Sequence, residues 1–146
     1  MQELKFDLRS DDGTLKEDNQ VAEFLRVVSK GLDTFNIDMY SMRHNPERLK
    51  DASFANISER SFKAPVGSWP RDPKMRTIGL YNSSIFADGF YGIAVRPRTQ
   101  GLGWSVADVE LFLVGVRRSL FDRSQHAYIT FHVVTVQKPE VERQEN

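Results

Sequence analysis

The sequence predicts an α/β protein in which about three strands pack against helices. Leu4, Phe6 and Leu8 alternate with charged residues near the start of the chain, which is the period-two pattern of a strand with one buried face. Two segments, 21–35 and 109–120, repeat apolar residues at helical spacing, and residues 127–137 are rich in β-branched and aromatic side chains. Strands that alternate with helices in this way indicate the α/β class.

The composition favours one domain and excludes several classes of function. The chain has 146 residues, no cysteine, and 20 Lys plus Arg against 20 Asp plus Glu. A net charge of zero provides no broad field for a nucleic-acid backbone or an anionic membrane, so we expect neither partner. The absence of cysteine excludes thiolate metal ligands and a cysteine nucleophile. No apolar stretch approaches the roughly 20 residues that span a bilayer. We therefore expect an intracellular protein, cytoplasmic or nuclear.

The first half of the chain is predicted to contain a strand, a long helix, a short helix and a second strand. Residues 10–13 (SDDG) form a turn, because Asp bonds its own downstream backbone and Gly accepts positive φ. The long helix is predicted to begin near Asp18 or Asn19 and to bury one apolar stripe. Asn45-Pro46 is typical of the start of a short helix. The polar segment 56–66 is predicted to be an outer strand of the sheet.

The second half is predicted to contain two helices and a final strand. Asp72-Pro73 has the signature of a capped helix start, and that helix is predicted to run to about Phe86. Four glycines and a proline in residues 89–104 predict a break between helices. Ser105 and Asp108 form a capping-box variant at the start of the second long helix. Residues 127–137 are apolar on both faces, which predicts a central strand antiparallel to a neighbour, followed by a charged, frayed tail.

Seven groups of short motifs occur in order along nearly the whole chain, and they resemble one protein family. The motifs are Gln2-Glu3-Leu4 with Asp7, residues 10–15 (SDDGTL), residues 48–51 (RLKD), residues 64–70 (APVGSWP) with 72–74, residues 79–82 (GLYN), residues 102–105 (LGWS) with Val109-Glu110 and Val116-Arg117, and His126-Ala127-Tyr128 with Lys138-Pro139. Together they resemble the C-terminal part of fungal secondary-metabolism class I S-adenosylmethionine-dependent methyltransferases, the group that includes the velvet-complex regulator.

The resemblance implies a partial Rossmann-like sheet that corresponds to strands five, six and seven of such an enzyme. It implies a mixed sheet with the last strand antiparallel, a helical insertion over about residues 68–125, a single domain over residues 1–138 and a charged tail at 139–146. A small-molecule methyl acceptor is the implied ligand. This sequence departs from the resembling family between Asp51 and Phe54. About one turn of the family's helix is missing there, and Ser53 stands in place of a glycine that would adopt left-handed φ.

The resemblance also implies S-adenosylmethionine as the cofactor, but the segment that would hold it has no counterpart. Gly101-Leu102-Gly103 follows a helical insertion rather than a strand, so we do not expect it to contact a cofactor. We therefore expect the acceptor-binding portion of a methyltransferase that does not bind the cofactor alone and is inactive alone. The alternative is a non-catalytic small-molecule or protein binding module derived from a methyltransferase.

Aromatic residues are the candidate walls of the acceptor pocket, because the helical insertion covers that pocket in the resembling family. Trp69, Tyr81, Phe86 and Trp104 are the predicted substrate-binding residues, with Trp69 and Tyr81 the best placed. The alternative is that most of these side chains belong to an ordinary core.

His126 is the candidate catalytic residue, because it precedes the last strand and matches a position of the family. It could act as a base or orient the acceptor, or it could bond a backbone carbonyl at the corner before the strand. His132 lies six residues further along, about 20 Å away in a strand, so the two cannot share a metal. His44 is expected to be solvated, and no metal site is predicted. Asp11 and Asp12 could point toward the cofactor side, although turn formation also explains them.

The first strand is predicted to have an exposed edge. In the resembling family it would pair with a fourth strand, so Leu4 to Arg9 would present an unpaired edge. We therefore expect self-association or pairing with a partner chain through this strand, or else a marginally stable chain.

Overall fold

A computed structural model describes residues 1–138, so the predicted tail at 139–146 lies outside the described residues. The helices and strands follow in the order β1 (Gln2–Arg9), α1 (Gln20–Asp33), a 3₁₀ turn (Ser41–His44), α2 (Asn45–Asp51), β2 (Ala55–Pro65), α3 (Pro73–Arg96), a π-helical turn (Pro97–Gly101), α4 (Val106–Leu120) and β3 (Tyr128–Gln137). The predicted mixture of helices and a sheet is confirmed.

The three strands form one sheet in the order β1-β3-β2, and β3 is antiparallel to both neighbours. Phe131 of β3 lies opposite Leu4 of β1 on one side and Phe62 of β2 on the other. The predictions that the last strand is central and that β2 is an outer strand are confirmed. The prediction of a mixed sheet is wrong, because β3 separates β1 from β2, and these two parallel strands therefore never bond each other.

The hydrophobic core lies between the sheet and the three long helices. Leu4, Phe6 and Leu8 of β1 pack against this core, as the alternation of the sequence predicts. The α1 helix begins after Asn19, whose side-chain oxygen accepts a hydrogen bond from the backbone N–H of Ala22 at 2.9 Å. The fully or almost fully buried members of the core are Phe24, Val28, Phe90, Ala94, Val109, Leu113, Val116, Leu120 and Ile129. The apolar stripes of α1 and α4 therefore point where helical spacing places them.

Helix α3 is longer than predicted. It was expected to end near Phe86 and to be followed by a break over residues 89–104, but it continues to Arg96 and passes directly into the π-helical turn. A glycine in a helix interior costs about 1 kcal/mol relative to alanine. Phe90 and Ala94 are buried on the same stretch, and their packing offsets the cost of the nearby glycines. The π-helical turn begins at Pro97, which has no N–H to continue the α-helical pattern.

The π-helical turn packs closely on α1 through two glycines. A Cβ atom on Gly31 would lie 2.5 Å from the carbonyl oxygen of Pro97, and a Cβ atom on Gly101 would lie 2.6 Å from the carbonyl oxygen of Gly31. Two backbones can approach this closely only where neither residue carries a side chain. Gly101 therefore serves helix packing.

Ser53 adopts the left-handed backbone conformation that is expected of a glycine at this position. Helix α2 ends at Asp51, and Ser53 follows with a φ of 61°. A side chain in this left-handed region is strained relative to glycine.

None of the helices within residues 1–138 is long and apolar enough to cross a membrane.

Candidate functional site

Three loops meet at one edge of the sheet and form the candidate site. The turn after β1 carries Asp11 and Asp12, the turn after β2 carries Trp69, and His126 precedes β3. Because β1 and β2 both run antiparallel to β3, their carboxyl ends lie at the same edge as the amino end of β3. In α/β sheets, ligands bind preferentially outside the carboxyl ends of the strands.

Asp12 is the centre of the hydrogen bonds at this edge. Its Oδ1 atom accepts bonds from the Ser10 hydroxyl at 2.7 Å, the Thr14 hydroxyl at 2.7 Å and the Thr14 backbone N–H at 3.2 Å. Its Oδ2 atom lies 2.5 Å from Nδ1 of His126. The hydrogen bond from His126, followed by those from Ser10 and Thr14, holds the pKa of Asp12 well below its usual range. Asp12 is therefore a carboxylate at neutral pH.

The contact with Asp12 determines which nitrogen of His126 is free. A carboxylate can only accept hydrogen bonds, so Nδ1 of His126 carries the hydrogen. In the neutral imidazole, Nε2 then has a free lone pair, and the structure gives Nε2 no hydrogen-bond partner among residues 1–138. The His126 side chain is 38% exposed. A bound molecule can therefore deliver a proton to Nε2.

Trp69 forms the wall of the site beside His126. The two rings are stacked, with 4.9 Å between centroids and an angle of 26° between planes. The indole Nε1 of Trp69 donates a hydrogen bond to the carbonyl oxygen of Ala127 at 2.9 Å. The backbone N–H of His126 donates to Oγ1 of Thr14 at 2.8 Å, which joins the His126 backbone to the turn that carries Asp12. The side chains of the site are thus positioned before any ligand binds.

Asp11 has its own partners and does not compete with Asp12 for His126. The hydroxyl of Tyr128 donates to Asp11 at 2.8 Å, and the ammonium of Lys63 also contacts Asp11. The ammonium lies 4.8 Å from the centroid of the Tyr128 ring. The contact with Lys63, followed by that with Tyr128, lowers the pKa of Asp11, and the bond to Asp11 raises the pKa of Tyr128. These three residues form a charged rim beside the site.

A separate cavity lies in the core, away from this polar edge. Its volume is about 210 Å³, and all the residues that line it are apolar. Stacked or tilted aromatic rings form part of its wall, including Phe24 and Phe90 at 4.5 Å and Phe86 and Phe90 at 6.1 Å between centroids. The lining residues are Phe6, Leu8, Val21, Phe24, Leu25, Val28, Leu32, Met39, Val66, Phe86, Phe90, Ile93 and Ile129.

Comparison with known proteins identifies curated relatives over almost the whole chain. The probable methyltransferase tdiE of Emericella nidulans is 31% identical over 139 residues, which cover 95% of this chain and 44% of tdiE. The methyltransferase pytC of Aspergillus terreus is 30% identical over 130 residues, covering 89% of this chain and 40% of pytC. The secondary metabolism regulator LAE1 of Cochliobolus heterostrophus is 27% identical over 139 residues, covering 94% of this chain and 45% of LAE1.

The chain is homologous to fungal secondary-metabolism methyltransferases. The resemblance seen in the sequence motifs is therefore confirmed. This methyltransferase homologue spans less than half the length of the curated relatives named here. No family model matches it, and no solved structure matches it significantly.

The structure does not bring the four predicted substrate-binding residues of this methyltransferase homologue together. Trp69 lies in the site at the sheet edge, and Phe86 lines the apolar cavity. Trp104 packs edge-to-face against Phe112, with 5.8 Å between centroids. Tyr81 is 68% exposed on α3. The roles of these residues in acceptor binding stay predictions, as does the catalytic role of His126.

The glycines of the methyltransferase homologue do not fit a cradle for S-adenosylmethionine within the described part of the chain. Such a cradle needs a glycine-rich turn after a strand whose backbone is free to approach the ligand. The N–H of Gly67, after β2, is bonded to Oγ of Ser83 at 2.8 Å. Gly101 packs on α1, and Gly13 is open to its surroundings but is the single glycine of the turn after β1. We therefore assign no cofactor-binding residue.

Two features escaped sequence reasoning. The pairing of Asp12 with His126 joins residues 114 positions apart, and only the turn signature and the position of His126 hinted at either. Arg98 is completely buried, and its guanidinium nitrogens have no hydrogen-bond partner among residues 1–138. No sequence signal distinguishes Arg98 from a solvated arginine.

Within residues 1–138, no group of three His, Cys, Asp or Glu side chains could hold a metal ion.

Proposed function

We propose that this chain is the acceptor-binding C-terminal portion of a class I S-adenosylmethionine-dependent methyltransferase, built on a partial Rossmann-like sheet. The relatives named as methyltransferases support this reading. The observation that carries the proposal is the arrangement of Asp12, His126 and Trp69 at the carboxyl ends of β1 and β2. Alone, this chain binds the acceptor without holding the cofactor. A single domain over residues 1–138, the insertion at 68–125 and an intracellular location remain predictions.

In this proposal, the acceptor is a small molecule with a hydroxyl or amine group that lies against the indole of Trp69. The acceptor's O–H or N–H bond breaks as its proton moves to Nε2 of His126. Asp12 accepts the hydrogen bond from Nδ1 and stabilises the imidazolium that results. General-base assistance of this kind contributes about 10²–10⁴-fold to a rate. The residues of this chain supply this proton transfer and the orientation of the acceptor.

Proton acceptance can be tested with 1-naphthol, whose fluorescence distinguishes the neutral hydroxyl from its anion. We expect the chain to raise the fraction of anion at pH 7–8, and His126→Gln and Asp12→Asn to abolish this rise. His44→Gln is the matched control, because the His44 side chain is 58% exposed and lies outside the site. The proposal fails if His126→Gln leaves the anion fraction at the wild-type level.

Cofactor binding is tested separately, by calorimetric titration of the 146-residue chain with S-adenosylmethionine. We expect no heat of binding at micromolar concentrations, because Gly67 is hydrogen-bonded to Ser83, Gly101 packs on α1, and the turn after β1 has a single glycine, Gly13. Micromolar affinity would show that the chain holds the cofactor alone, and it would refute that part of the proposal.

A second candidate function is a non-catalytic small-molecule binding module. The apolar cavity of about 210 Å³ favours it, because a dry apolar cavity of about 150 Å³ binds benzene in another protein. Naphthalene should then raise the melting temperature, and Val28→Phe, which fills the cavity, should remove the effect. Naphthalene that has no effect on the wild-type chain would exclude this function for the cavity.

A further inference from the structure

Thr14 lies beside both members of the pair of Asp12 and His126 and bonds to each of them. The backbone N–H of His126 donates to Oγ1 of Thr14 at 2.8 Å. An N–H group can only donate, so the hydroxyl hydrogen of Thr14 is left for another acceptor. Oδ1 of Asp12 lies 2.7 Å from Oγ1 and accepts that hydrogen. The hydroxyl of Thr14 therefore connects the backbone of His126 with the carboxylate that bonds its side chain.

The bonds of Thr14 and His126 hold the two oxygens of Asp12 from opposite ends of the carboxylate. Oδ1 accepts the hydroxyl of Thr14 at 2.7 Å and the backbone N–H of Thr14 at 3.2 Å, while Oδ2 faces Nδ1 of His126 at 2.5 Å. The hydroxyl of Ser10 also donates to Oδ1, and its oxygen lies 3.3 Å from Oγ1 of Thr14. Hydrogen bonds to a carboxylate are about twice as strong as bonds between neutral groups. Rotation of the carboxylate would break bonds at both of its oxygens.

The segment that follows Thr14 is anchored to the residue that precedes His126. Oε1 of Gln125 accepts a hydrogen bond from the backbone N–H of Lys16 at 3.1 Å and another from Nδ2 of Asn19 at 2.9 Å. Gln125 and Asn19 are only 6% and 4% exposed. Buried amide groups are costly to leave without a partner, so these bonds resist opening. The positions of Thr14 and His126 relative to each other are therefore set by contacts within residues 10–126.

We propose that Thr14 is a positioning residue, whose hydroxyl holds Asp12 and His126 in the geometry that keeps the hydrogen of the imidazole on Nδ1. The neutral imidazole then has its lone pair on Nε2, where an acceptor can deliver a proton. A neutral histidine in water favours the opposite tautomer, whose Nε2 already carries a hydrogen and cannot accept another. The benefit for catalysis rests on the proposed function of His126, but the tautomer itself can be measured without any acceptor.

The tautomer of His126 can be measured from the NMR chemical shifts of its ring nitrogens in the 146-residue chain. The measurement is made at about pH 8, where histidines of ordinary pKa are neutral. Thr14→Val keeps the shape of the side chain but removes the hydroxyl, so the N–H of His126 loses its acceptor and Asp12 loses a donor. We expect the ratio of the Nδ1–H form to the Nε2–H form to fall about tenfold, the factor that one hydrogen bond to a charged group provides. Thr14→Ser keeps the hydroxyl and should retain the wild-type ratio.

Thr135→Val is the matched control, because it makes the same substitution at an exposed threonine of β3, about 30 Å along the strand from His126. It should leave the ratio unchanged. If circular dichroism shows that Thr14→Val does not fold, hydrogen exchange of the wild-type and Thr14→Ser proteins decides, because the amide of His126 should exchange slowly in both. A folded Thr14→Val protein with the wild-type ratio, a Thr14→Ser protein without it, or a freely exchanging His126 amide would overturn the proposal.

The two proposals about this site fail in different ways. A tautomer that shifts in Thr14→Val, together with 1-naphthol that gives no additional anion with the wild-type chain, would support the positioning role and refute the proposed function. A rise in the anion that depends on His126, together with a tautomer that is insensitive to Thr14→Val, would refute the positioning role alone.

Discussion

Replacement of Gly79 by alanine should destabilise this protein severely, because α3 and the turn after β2 touch at this residue. A Cβ atom on Gly79 would lie 2.0 Å from the carbonyl oxygen of Gly67 and 3.2 Å from Cβ of Pro65. The obstructing atom is backbone, which cannot rotate away as a flexible side chain can. The alanine methyl would therefore force the turn and the helix apart by about 1 Å.

The expected loss follows from the bonds that this separation would break. The N–H of Gly67 donates to Oγ of Ser83 at 2.8 Å, and the side-chain amide of Asn82 donates to the carbonyl oxygen of Pro65 at 3.0 Å. Overpacking a well-packed contact costs about 1–3 kcal/mol, and each hydrogen bond adds about 1 kcal/mol. We therefore expect the free energy of unfolding to fall by about 3–5 kcal/mol and the melting temperature by about 10 °C.

Urea and thermal unfolding followed by circular dichroism would measure this loss. Gly92→Ala is the matched control, because a Cβ atom on exposed Gly92 of the same helix has nothing within 4 Å. That substitution should stabilise the protein by about 0.5–1 kcal/mol, as alanine favours helices over glycine. A Gly79→Ala protein within 1 kcal/mol of the wild type would refute the close packing of α3 on the turn. The same turn carries Trp69, so loss of packing should also change the tryptophan fluorescence.

Three further predictions concern single residues. Ser53→Gly should stabilise the protein by about 1 kcal/mol in urea unfolding, because Ser53 has a φ of 61°, and no gain would contradict that conformation. Burial lowers the pKa of Arg98 to about 10, and within residues 1–138 its guanidinium nitrogens have no hydrogen-bond partner. The rings of Phe24, Trp104 and Phe112, whose centroids lie 3.7–5.8 Å from the guanidinium carbon, offset only part of the cost of burying this cation. Arg98→Met should therefore stabilise by about 1 kcal/mol, and a clear loss would show that the cation is needed. The lowered pKa of Asp12 stabilises the fold above the unfolded value of 3.8, and this contribution is lost as the pH falls through the folded value. Asp12→Asn should accordingly reduce the loss of stability between about pH 4 and pH 2, and an unchanged acid transition would contradict the bonds to Asp12.

The helix boundaries show where signals from residues close in sequence were sufficient to predict the structure. The capping box at Ser105 and Asp108 and the apolar stripe of α4 predicted that helix correctly, because caps and periodicity are local properties. Helix α3 was predicted too short, because glycines and Pro97 are local breakers while Phe90 and Ala94 are held by contacts distant in sequence. Intrinsic helix propensity is therefore a weak predictor of a helix boundary where tertiary contacts stabilise the helix.

The candidate site shows the same division. The sequence singled out His126 and the Asp11-Asp12 turn separately, and each had a plausible structural explanation. Their contact needed the order of the strands, which brings the turn after β1 beside the residue that precedes β3. Tyr81 and Trp104 were grouped with Trp69 as aromatic residues of the predicted helical insertion, but Tyr81 is exposed on α3 and Trp104 packs against Phe112.

The sequence by itself determined the strands and helices of this protein, which follow from periodicity and caps. It also determined the homology to methyltransferases, which follows from motifs in the same order. The tertiary structure decided that β3 lies between β1 and β2, that α3 continues through its glycines, and that Asp12 fixes the tautomer of His126. The physical reason is the separation along the sequence over which each interaction acts. Caps, turns and amphipathic stripes depend on residues a few positions apart, whereas strand order, burial and the charge environment of a side chain depend on residues brought together only by folding.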